Sequence, residues 1–170
     1  SFSALSAFGM AGGTAAAQVS IFCYHEIEKP GDKFAIPQKQ LEQQIQDLKA
    51  QGYRFVSLDE YESYMKGELA LPEKSVMLTL DDGYASVYTQ VYPLLQKYQV
   101  PAMIALVTSW TEGEGKPSDV GTLLTWEQVR EMEASGLVSV ASHSHAMHKQ
   151  QAIDPQGDRN AVAGYHLYFT

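Results

Sequence analysis

Two polar clusters, far apart in the chain, contain the residue types that could do chemistry. The first is the pair of adjacent carboxylates Asp81 and Asp82, at the end of an apolar run. The second follows another apolar run and supplies the imidazoles of His143, His145 and His148. One carboxylate and two imidazoles can bind a divalent metal ion, and a second carboxylate can act as a base on water. The leading hypothesis is metal-assisted hydrolysis, with zinc as the first candidate ion and cobalt, nickel or iron as alternatives.

Each cluster has an ordinary interpretation when it is taken alone. Paired acids before a glycine are often turn residues, with Asp82 accepting hydrogen bonds from backbone N–H groups. A histidine in a loop is usually a solvated side chain. What favours the metal site is that both clusters close apolar strands in the same α/β pattern.

The elements that must position these residues alternate between apolar strands and helices. Strands are predicted at 19–24, 54–56, 75–80, 102–107 and 138–141. Helices are predicted after Pro37, after the capping boxes that start at Ser57 and Thr125, and over 84–98 with a kink or restart at Pro93. A glycine-rich loop is predicted at 109–122.

Continuous apolar strands that alternate with helices indicate a parallel sheet covered by helices. The polar candidates follow the strands: His25 the first, Asp81 and Asp82 the third, and His143 the fifth. In such α/β folds, catalytic and binding residues lie at the carboxyl ends of the strands, so we expect these side chains to lie together at one edge of the sheet. A closed barrel needs more than five strands. We therefore expect a distorted and incomplete (β/α) barrel-like fold, in a chain that stops within its domain.

The amino-acid composition limits which substrates and partners the chain is expected to bind. The net charge is -8 without a basic run, which argues against nucleic acid and against a polyanionic substrate, and favours a neutral or cationic polymer. The single cysteine, Cys23, excludes an internal disulfide and a cysteine-based zinc site. Because Cys23 lies in an apolar run, it is predicted to be a buried strand residue.

The first residues are small, apolar and uncharged. Residues 1–17 end in Ala15-x-Ala17, which is typical of the apolar and cleavage parts of a secretory signal, so 1–17 is predicted to be a signal-peptide remnant. A flexible leader or part of an N-terminal helix is the alternative. Residues 18–170 are then expected to be the N-terminal part of one domain, and nothing else in the chain approaches the ~20 apolar residues of a membrane span.

The first cluster also carries a specific resemblance. Thr79-Leu80-Asp81-Asp82-Gly83 resembles the T-[FL]-D-D-G motif of the polysaccharide deacetylases, the fourth carbohydrate-esterase family. The second cluster, which starts with Ser-His-Ser at 142–144, resembles that family's H-[ST]-x-x-H motif. Segments 23–27, 81–84, 91–95 and 141–148 are similar to one branch, the poly-β-1,6-N-acetylglucosamine N-deacetylases of bacterial biofilm export. The resemblance covers about 19–156.

By this resemblance, Asp81 is the general base, and Asp82, His143 and His148 hold the metal ion. The two histidines are five positions apart, as in the biofilm branch, and His145 is the competing ligand. The family also uses an Arg that orients the base and a later His that acts as an acid. The sequence contains no convincing match for either, which agrees with a domain that continues beyond Thr170.

The resemblance implies a secreted, periplasmic or cell-surface hydrolase that removes N-acetyl groups from poly-β-1,6-N-acetylglucosamine, associated with an exopolysaccharide export system. Chitin, peptidoglycan or xylan are alternative substrates, and a non-catalytic carbohydrate- or metal-binding remnant is the alternative of another class. His25 is a candidate for lining the site or for a structural hydrogen bond. Tyr84 and Trp110 are candidates for stacking on sugar rings or for core packing.

Overall fold

The computed structural model describes the chain at residues 4–6, 19–29, 35–114, 116, 118, 120–144, 150–152 and 159–161, with side chains at 19–29, 35–114, 116, 118 and 120–142. Its strands are β1 (Ala4–Ser6), β2 (Val19–Tyr24), β3 (Arg54–Phe55), β4 (Ser75–Asp82), β5 (Ala102–Val107), β6 (Val138–Ser144), β7 (Gln150–Ala152) and β8 (Arg159–Ala161). Its helices are α1 (Gln38–Ala50), α2 (Leu58–Met65), a π-helical turn (Val87–Val91), α3 (Tyr92–Tyr98), α4 (Thr108–Thr111) and α5 (Trp126–Ala134).

One sheet contains the five strands predicted from the apolar runs, and these five run parallel. The sheet order is β1-β2-β4-β5-β6, with β3 paired to the start of β4. Two features of the described chain were not predicted. Strand β1 pairs antiparallel with β2, and β7 pairs antiparallel with β8. That residues 1–17 are a signal-peptide remnant stays a prediction, as does the assignment of 18–170 to one domain.

The central strand β4 is buried on both faces, as its continuous apolar run predicts. Val76, Leu78 and Leu80 belong to the larger core cluster, which also holds the buried face of α1 at Leu41 and Ile45. The intervening Met77 belongs to a second cluster with Val19, Val56, Tyr61 and Leu71. Side chains alternate between the two faces of a strand, so Thr79 and Asp81 share the face of Met77.

The local signals for the helices are confirmed. Ser57 and Thr125 each accept a hydrogen bond from the backbone N–H three residues on, and both capping boxes are complete. Pro93 has no N–H, and the helix restarts there: the Tyr92 N–H reaches back to the Val87 carbonyl before α3 begins.

Several boundaries differ from the sequence predictions. Strands β4 and β6 extend past their predicted ends at 80 and 141, so Asp81, Asp82 and His143 lie in the last residues of the strands and not after them. The helix predicted from Tyr84 takes regular form only at the π-helical turn, because Tyr84 itself pairs with Leu123 in an antiparallel bridge. The loop predicted at 109–122 starts with α4, a single helical turn. Four residues are too few to show a helical period in the sequence.

Candidate active site

Strand β4 ends in the two carboxylates at an abrupt change of backbone conformation. Asp82 (φ 72°) and Gly83 (φ 82°) both lie in the left-handed region, which costs a non-glycine residue of order 1–3 kcal/mol. Asp82 is only 6% exposed, whereas Asp81 is half-buried. The fold therefore holds Asp82 in a strained, buried position, a condition that clusters at active and ligand-binding sites.

A second segment fixes this turn from outside the strand. The Leu124 N–H donates to the Gly83 carbonyl (2.9 Å), and the Ala85 N–H donates to the Thr122 carbonyl (2.8 Å). Between these bonds lies the bridge from Tyr84 to Leu123. A loop was predicted at 109–122, and this pairing was not predicted, because contacts between distant segments leave no local pattern in the sequence.

Strand register explains which side chains meet Asp81. Cys23 in β2 lies opposite Thr79 in β4, so two residues further along each chain His25 comes beside Asp81. Because every second residue shares a face, Cys23 and Asp81 lie on the same face. The Cys23 thiol donates a hydrogen bond to Asp81, with 3.3 Å between Sγ and Oδ2. One potential ligand atom from each of Cys23, His25 and Asp81 lies within 4.8 Å of the other two.

The thiol in this group is held in its protonated form. Burial raises the pKa of Cys23 from 9.0 to about 12, and the negative charge of Asp81 adds to the shift. A thiol protonated at neutral pH can donate to the carboxylate, as observed. The prediction that Cys23 is a strand residue is confirmed, but its side chain is half-buried, not buried. Its contact with Asp81 was not predicted, because that contact depends on the register of two strands.

The histidine cluster begins at the same edge of the sheet. In register, Asp82 of β4 lies opposite Leu106 of β5, which lies opposite Ser142 of β6. The backbone of His143 therefore comes directly after Ser142, the β6 residue in line with Asp82. Two strand spacings separate Ser142 from Asp82, roughly 10 Å. His145 and His148 lie outside the described residues. The ligand set of Asp82, His143 and His148 therefore stays a prediction, as does the role of Asp81.

The loop that follows β2 packs onto the segment that holds the turn. Glu26 forms an ion pair with Lys29 (2.9 Å from Oε2 to Nζ), and Lys29 Nζ lies 5.9 Å from the ring centroid of Tyr84. A Cβ atom on Gly121 would lie 2.8 Å from Glu26 Oε1, so a larger residue at 121 would require the Glu26 carboxylate to shift. His25 and the Asp81–Asp82 turn are thus tied together through their neighbours.

The aromatic candidates fall in different environments. Tyr84 is half-buried next to the turn, while Trp110 in α4 is 7% exposed, the environment of a packing residue. The structure gives no support to stacking of Trp110 on a sugar. Trp126, which the sequence analysis did not single out, is 38% exposed and begins α5, two residues after Leu124 contacts Gly83. In the sequence, the capping box at Thr125 placed Trp126 at the start of a helix but did not predict its exposure.

Residues 68–166 match the sequence profile of a family described as polysaccharide deacetylase. The chain belongs to the polysaccharide deacetylase family. The matched residues include Asp81 and Asp82 and the whole histidine cluster, so the family assignment and the candidate site coincide.

Individual deacetylases show the same relationship. The chain is 38% identical over 138 residues to the poly-β-1,6-N-acetyl-D-glucosamine N-deacetylase of Escherichia coli K12, covering 76% of this chain and 20% of that protein. It is 31% identical over 115 residues to the enzyme of the same name from Staphylococcus aureus, covering 68% of this chain and 39% of that one. A solved de-N-acetylase from Aggregatibacter actinomycetemcomitans superposes with a TM-score of 0.77 at 33% identity, covering 84% of this chain and 61% of that chain.

These comparisons confirm the α/β, barrel-like fold predicted from the strand pattern and the deacetylase fold implied by the family resemblance. The chain spans a fifth of the Escherichia coli relative and about two fifths of the Staphylococcus aureus relative. Among the described residues, no helix has both the length and the apolar character needed to cross a membrane.

Proposed function

We propose that this polysaccharide deacetylase is a metal-dependent hydrolase that removes N-acetyl groups from a β-1,6-linked N-acetylglucosamine polymer. The observation that carries the proposal is the end of β4, where the buried, left-handed Asp82 and the half-buried Asp81 lie side by side. Strand β6 delivers His143 to the same edge of the sheet. An acidic pair beside imidazoles at the carboxyl ends of parallel strands suits hydrolysis better than structural turn-making.

The donor set fits one divalent ion. Asp82 supplies a carboxylate from a buried position, and His143 and His148 supply imidazoles, with His145 as the competing ligand. Two imidazoles and a carboxylate suit zinc, cobalt, nickel or iron. When bound, such an ion polarises the amide carbonyl and makes its water ligand more acidic. A strained backbone such as that at Asp82 persists where the surrounding structure holds a functional residue in place, as a metal ligand would require.

Asp81 is the proposed general base, which accepts the proton of the attacking water. It shares a strand face with Cys23, whose thiol donates a hydrogen bond to it. The thiol hydrogen bond fixes the Asp81 carboxylate on that face. A base held in one orientation removes a proton more efficiently than one that must find its position.

His25 is the proposed general acid, which protonates the leaving amine. The sequence contains no convincing match to the later histidine that the family uses for this step, yet the register of β2 and β4 brings a His25 ring nitrogen within 4.8 Å of the Asp81 carboxylate. His25 is exposed, so its ring can reach a substrate bound at the carboxyl edge of the sheet. An amine is a poor leaving group unless it is protonated.

The substrate class follows from the relatives and from charge. Two relatives are named for poly-β-1,6-N-acetyl-D-glucosamine. A chain with a net charge of -8 attracts a polymer that becomes cationic as acetyl groups are removed. The exposed Trp126, at the edge where Asp81 lies, offers a flat apolar surface on which a sugar ring can stack. Chitin, peptidoglycan and xylan are the competing polymers.

A polymer of this kind is met outside the cytoplasm, which supports a secreted, periplasmic or cell-surface location. Association with an exopolysaccharide export system follows from the same substrate and stays a prediction. The test is to purify the full-length protein from a biofilm-forming cell. Co-purification of export components would support the association, and their absence from the purified protein would contradict it.

The proposal is tested by acetate release from β-1,6-linked N-acetylglucosamine oligomers. The full-length natural protein is assayed after metal removal, after restoration with Zn²⁺, and as Asp81→Asn. Release should require the ion and should fall by roughly 10²–10⁴-fold in Asp81→Asn, the usual contribution of a general base. Asp47→Asn is the matched control, because Asp47 is an exposed carboxylate on α1 that accepts a hydrogen bond from Gln43 (2.9 Å), which Asn can also accept.

Undiminished release by Asp81→Asn would remove Asp81 from the role of base. Release only from chitin, peptidoglycan or acetylated xylan would reassign the polymer while keeping the reaction. If every polymer remained intact although one divalent ion bound per chain, the non-catalytic binding module would replace the enzyme.

A further inference from the structure

We propose that Cys23, His25 and Asp81 form a second metal site, separate from the Asp82 and histidine set, which binds Zn²⁺ and inhibits the enzyme when it is occupied. The three side chains come from the end of β2 and the end of β4. One ligand atom from each lies within 4.8 Å of the other two, and Cys23 Sγ and Asp81 Oδ2 are already 3.3 Å apart.

The distances suit a small ion after a modest side-chain adjustment. A point equidistant from three atoms that are 4.8 Å apart lies about 2.8 Å from each, and zinc needs ~2.0–2.3 Å to nitrogen, oxygen and sulfur. The gap is about 0.5–0.8 Å. Because His25 is exposed, its ring can rotate to close it. Water can supply the fourth ligand from the open side.

The donor chemistry selects the ion. One sulfur, one nitrogen and one carboxylate oxygen suit Zn²⁺, whereas Mg²⁺ prefers oxygen ligands alone. The sequence predicted that a single cysteine excludes a cysteine-based zinc site, but His25 and Asp81 can supply the ligands that further cysteines would otherwise provide. A thiol that coordinates zinc is deprotonated, so binding breaks the S–H bond, forms a zinc–sulfur bond and releases one proton to solvent. Asp81 then exchanges the thiol hydrogen bond for the ion.

Occupancy of this site would stop catalysis, and this part of the inference rests on the proposed function. An ion bound to Asp81 takes the lone pair that the base needs. An ion bound to His25 takes the ring nitrogen that would carry a proton to the amine. The enzyme would therefore need one ion at Asp82 for activity and lose activity when a second ion fills the Cys23 site.

The binding test does not depend on activity. The metal-stripped full-length protein is titrated with Co²⁺ and followed by the near-ultraviolet charge-transfer absorption of a cysteine sulfur bound to cobalt. Since Cys23 is the only cysteine of the chain, this absorption reports on one site, provided that any cysteines elsewhere in the full-length protein are replaced by Ser. We expect it to grow with the second equivalent and to be missing from Cys23→Ser. Glu26→Gln is the control, because Glu26 is a neighbouring carboxylate paired with Lys29 and outside the three-residue group.

The activity test compares acetate release at one equivalent of Zn²⁺ and in excess Zn²⁺, each protein normalised to its own rate at one equivalent. Excess Zn²⁺ should inhibit the wild-type protein and Glu26→Gln, and excess Mg²⁺ should not. In Cys23→Ser the inhibition constant should rise at least about 100-fold, because even residues that only orient a metal ligand change affinity by 10–100-fold.

Each outcome decides a separate question. Absence of the sulfur–cobalt absorption at every ratio would overturn the site. Absorption that saturates with the first equivalent would make Cys23 part of the primary site and overturn the inhibitory role, as would absorption without inhibition. If the protein released no acetate under any condition, the proposed function would fail, and the cobalt absorption would still decide whether the Cys23 site exists.

Discussion

A Cβ atom on Gly83 would lie 2.7 Å from Cδ2 of Leu106, a side chain that is 1% exposed on the neighbouring strand β5. The buried leucine cannot easily move aside, because the surrounding core is close-packed. The turn that presents Asp81 and Asp82 therefore touches the core of the sheet without any intervening side chain.

Replacement of Gly83 by Ala should destabilise the protein for two reasons. Alanine in the left-handed region costs about 1–2 kcal/mol, and overpacking against Leu106 adds about 1–3 kcal/mol. We expect a loss of roughly 2–5 kcal/mol in the free energy of unfolding, measured by urea denaturation. Gly136→Ala is the matched control, since Gly136 has φ 74° and open space around it, and it should lose only the backbone part. Equal losses in the two variants would show that the Leu106 contact is unimportant.

The role of His25 predicts a dependence on the leaving group. His25→Ala should lower kcat for an N-acetyl substrate by roughly 10²–10⁴-fold, because the amine must be protonated as it leaves. Hydrolysis of 4-nitrophenyl acetate, whose leaving group departs as an anion, should fall far less. The ratio of the two rates in each protein is the measurement. A parallel fall for both substrates would assign His25 a structural role instead.

The thiol of Cys23 should react slowly in the folded, metal-stripped protein. Its pKa of about 12 exceeds the ordinary 9.0 because of burial and the nearby Asp81 charge, so at pH 9 the ionised fraction is roughly 500-fold lower than in the unfolded chain. As the pH rises from about 9 to about 12, the unfolded chain loses this proton first, and the folded state is progressively destabilised. Iodoacetamide alkylation against pH, with and without urea, measures the difference.

Asp81→Asn provides the control for this pKa. Loss of the neighbouring charge should lower the pKa of Cys23 and speed alkylation, while burial still holds the pKa above 9.0. An unchanged alkylation profile in Asp81→Asn would contradict the contact between the two side chains.

Trp126 predicts an effect on polymer binding. Trp126→Ala should raise KM for long oligomers by roughly 2–13-fold, the equivalent of ~0.5–1.5 kcal/mol for a lost aromatic contact, and leave kcat nearly unchanged. Met65→Ala is the control: Met65 is another exposed apolar residue (53%), at the end of α2 that leads back to the amino end of β4. Equal KM values for wild type and Trp126→Ala would exclude this surface from the substrate path.

Local signals were sufficient for much of the fold. The capping boxes at Ser57 and Thr125 are satisfied within four residues of chain, and the apolar run of β4 is buried on both faces. Features without local pattern were missed, such as the pairing of β1 with β2 and the bridge from Tyr84 to Leu123. Pairing of this kind is determined by segments distant in the chain.

The sequence by itself determined the alternation of strands and helices, the family motif around Asp81 and Asp82, and the arrival of His25, Asp81 and His143 at the ends of strands. It did so because hydrophobic period, capping and turn chemistry act between near neighbours. Only the tertiary structure decided that Cys23 and His25 lie against Asp81, that Asp82 is buried in a left-handed conformation, and that Trp126 rather than Trp110 is exposed. These depend on strand register and packing, where a shift of one residue would turn every side chain to the opposite face.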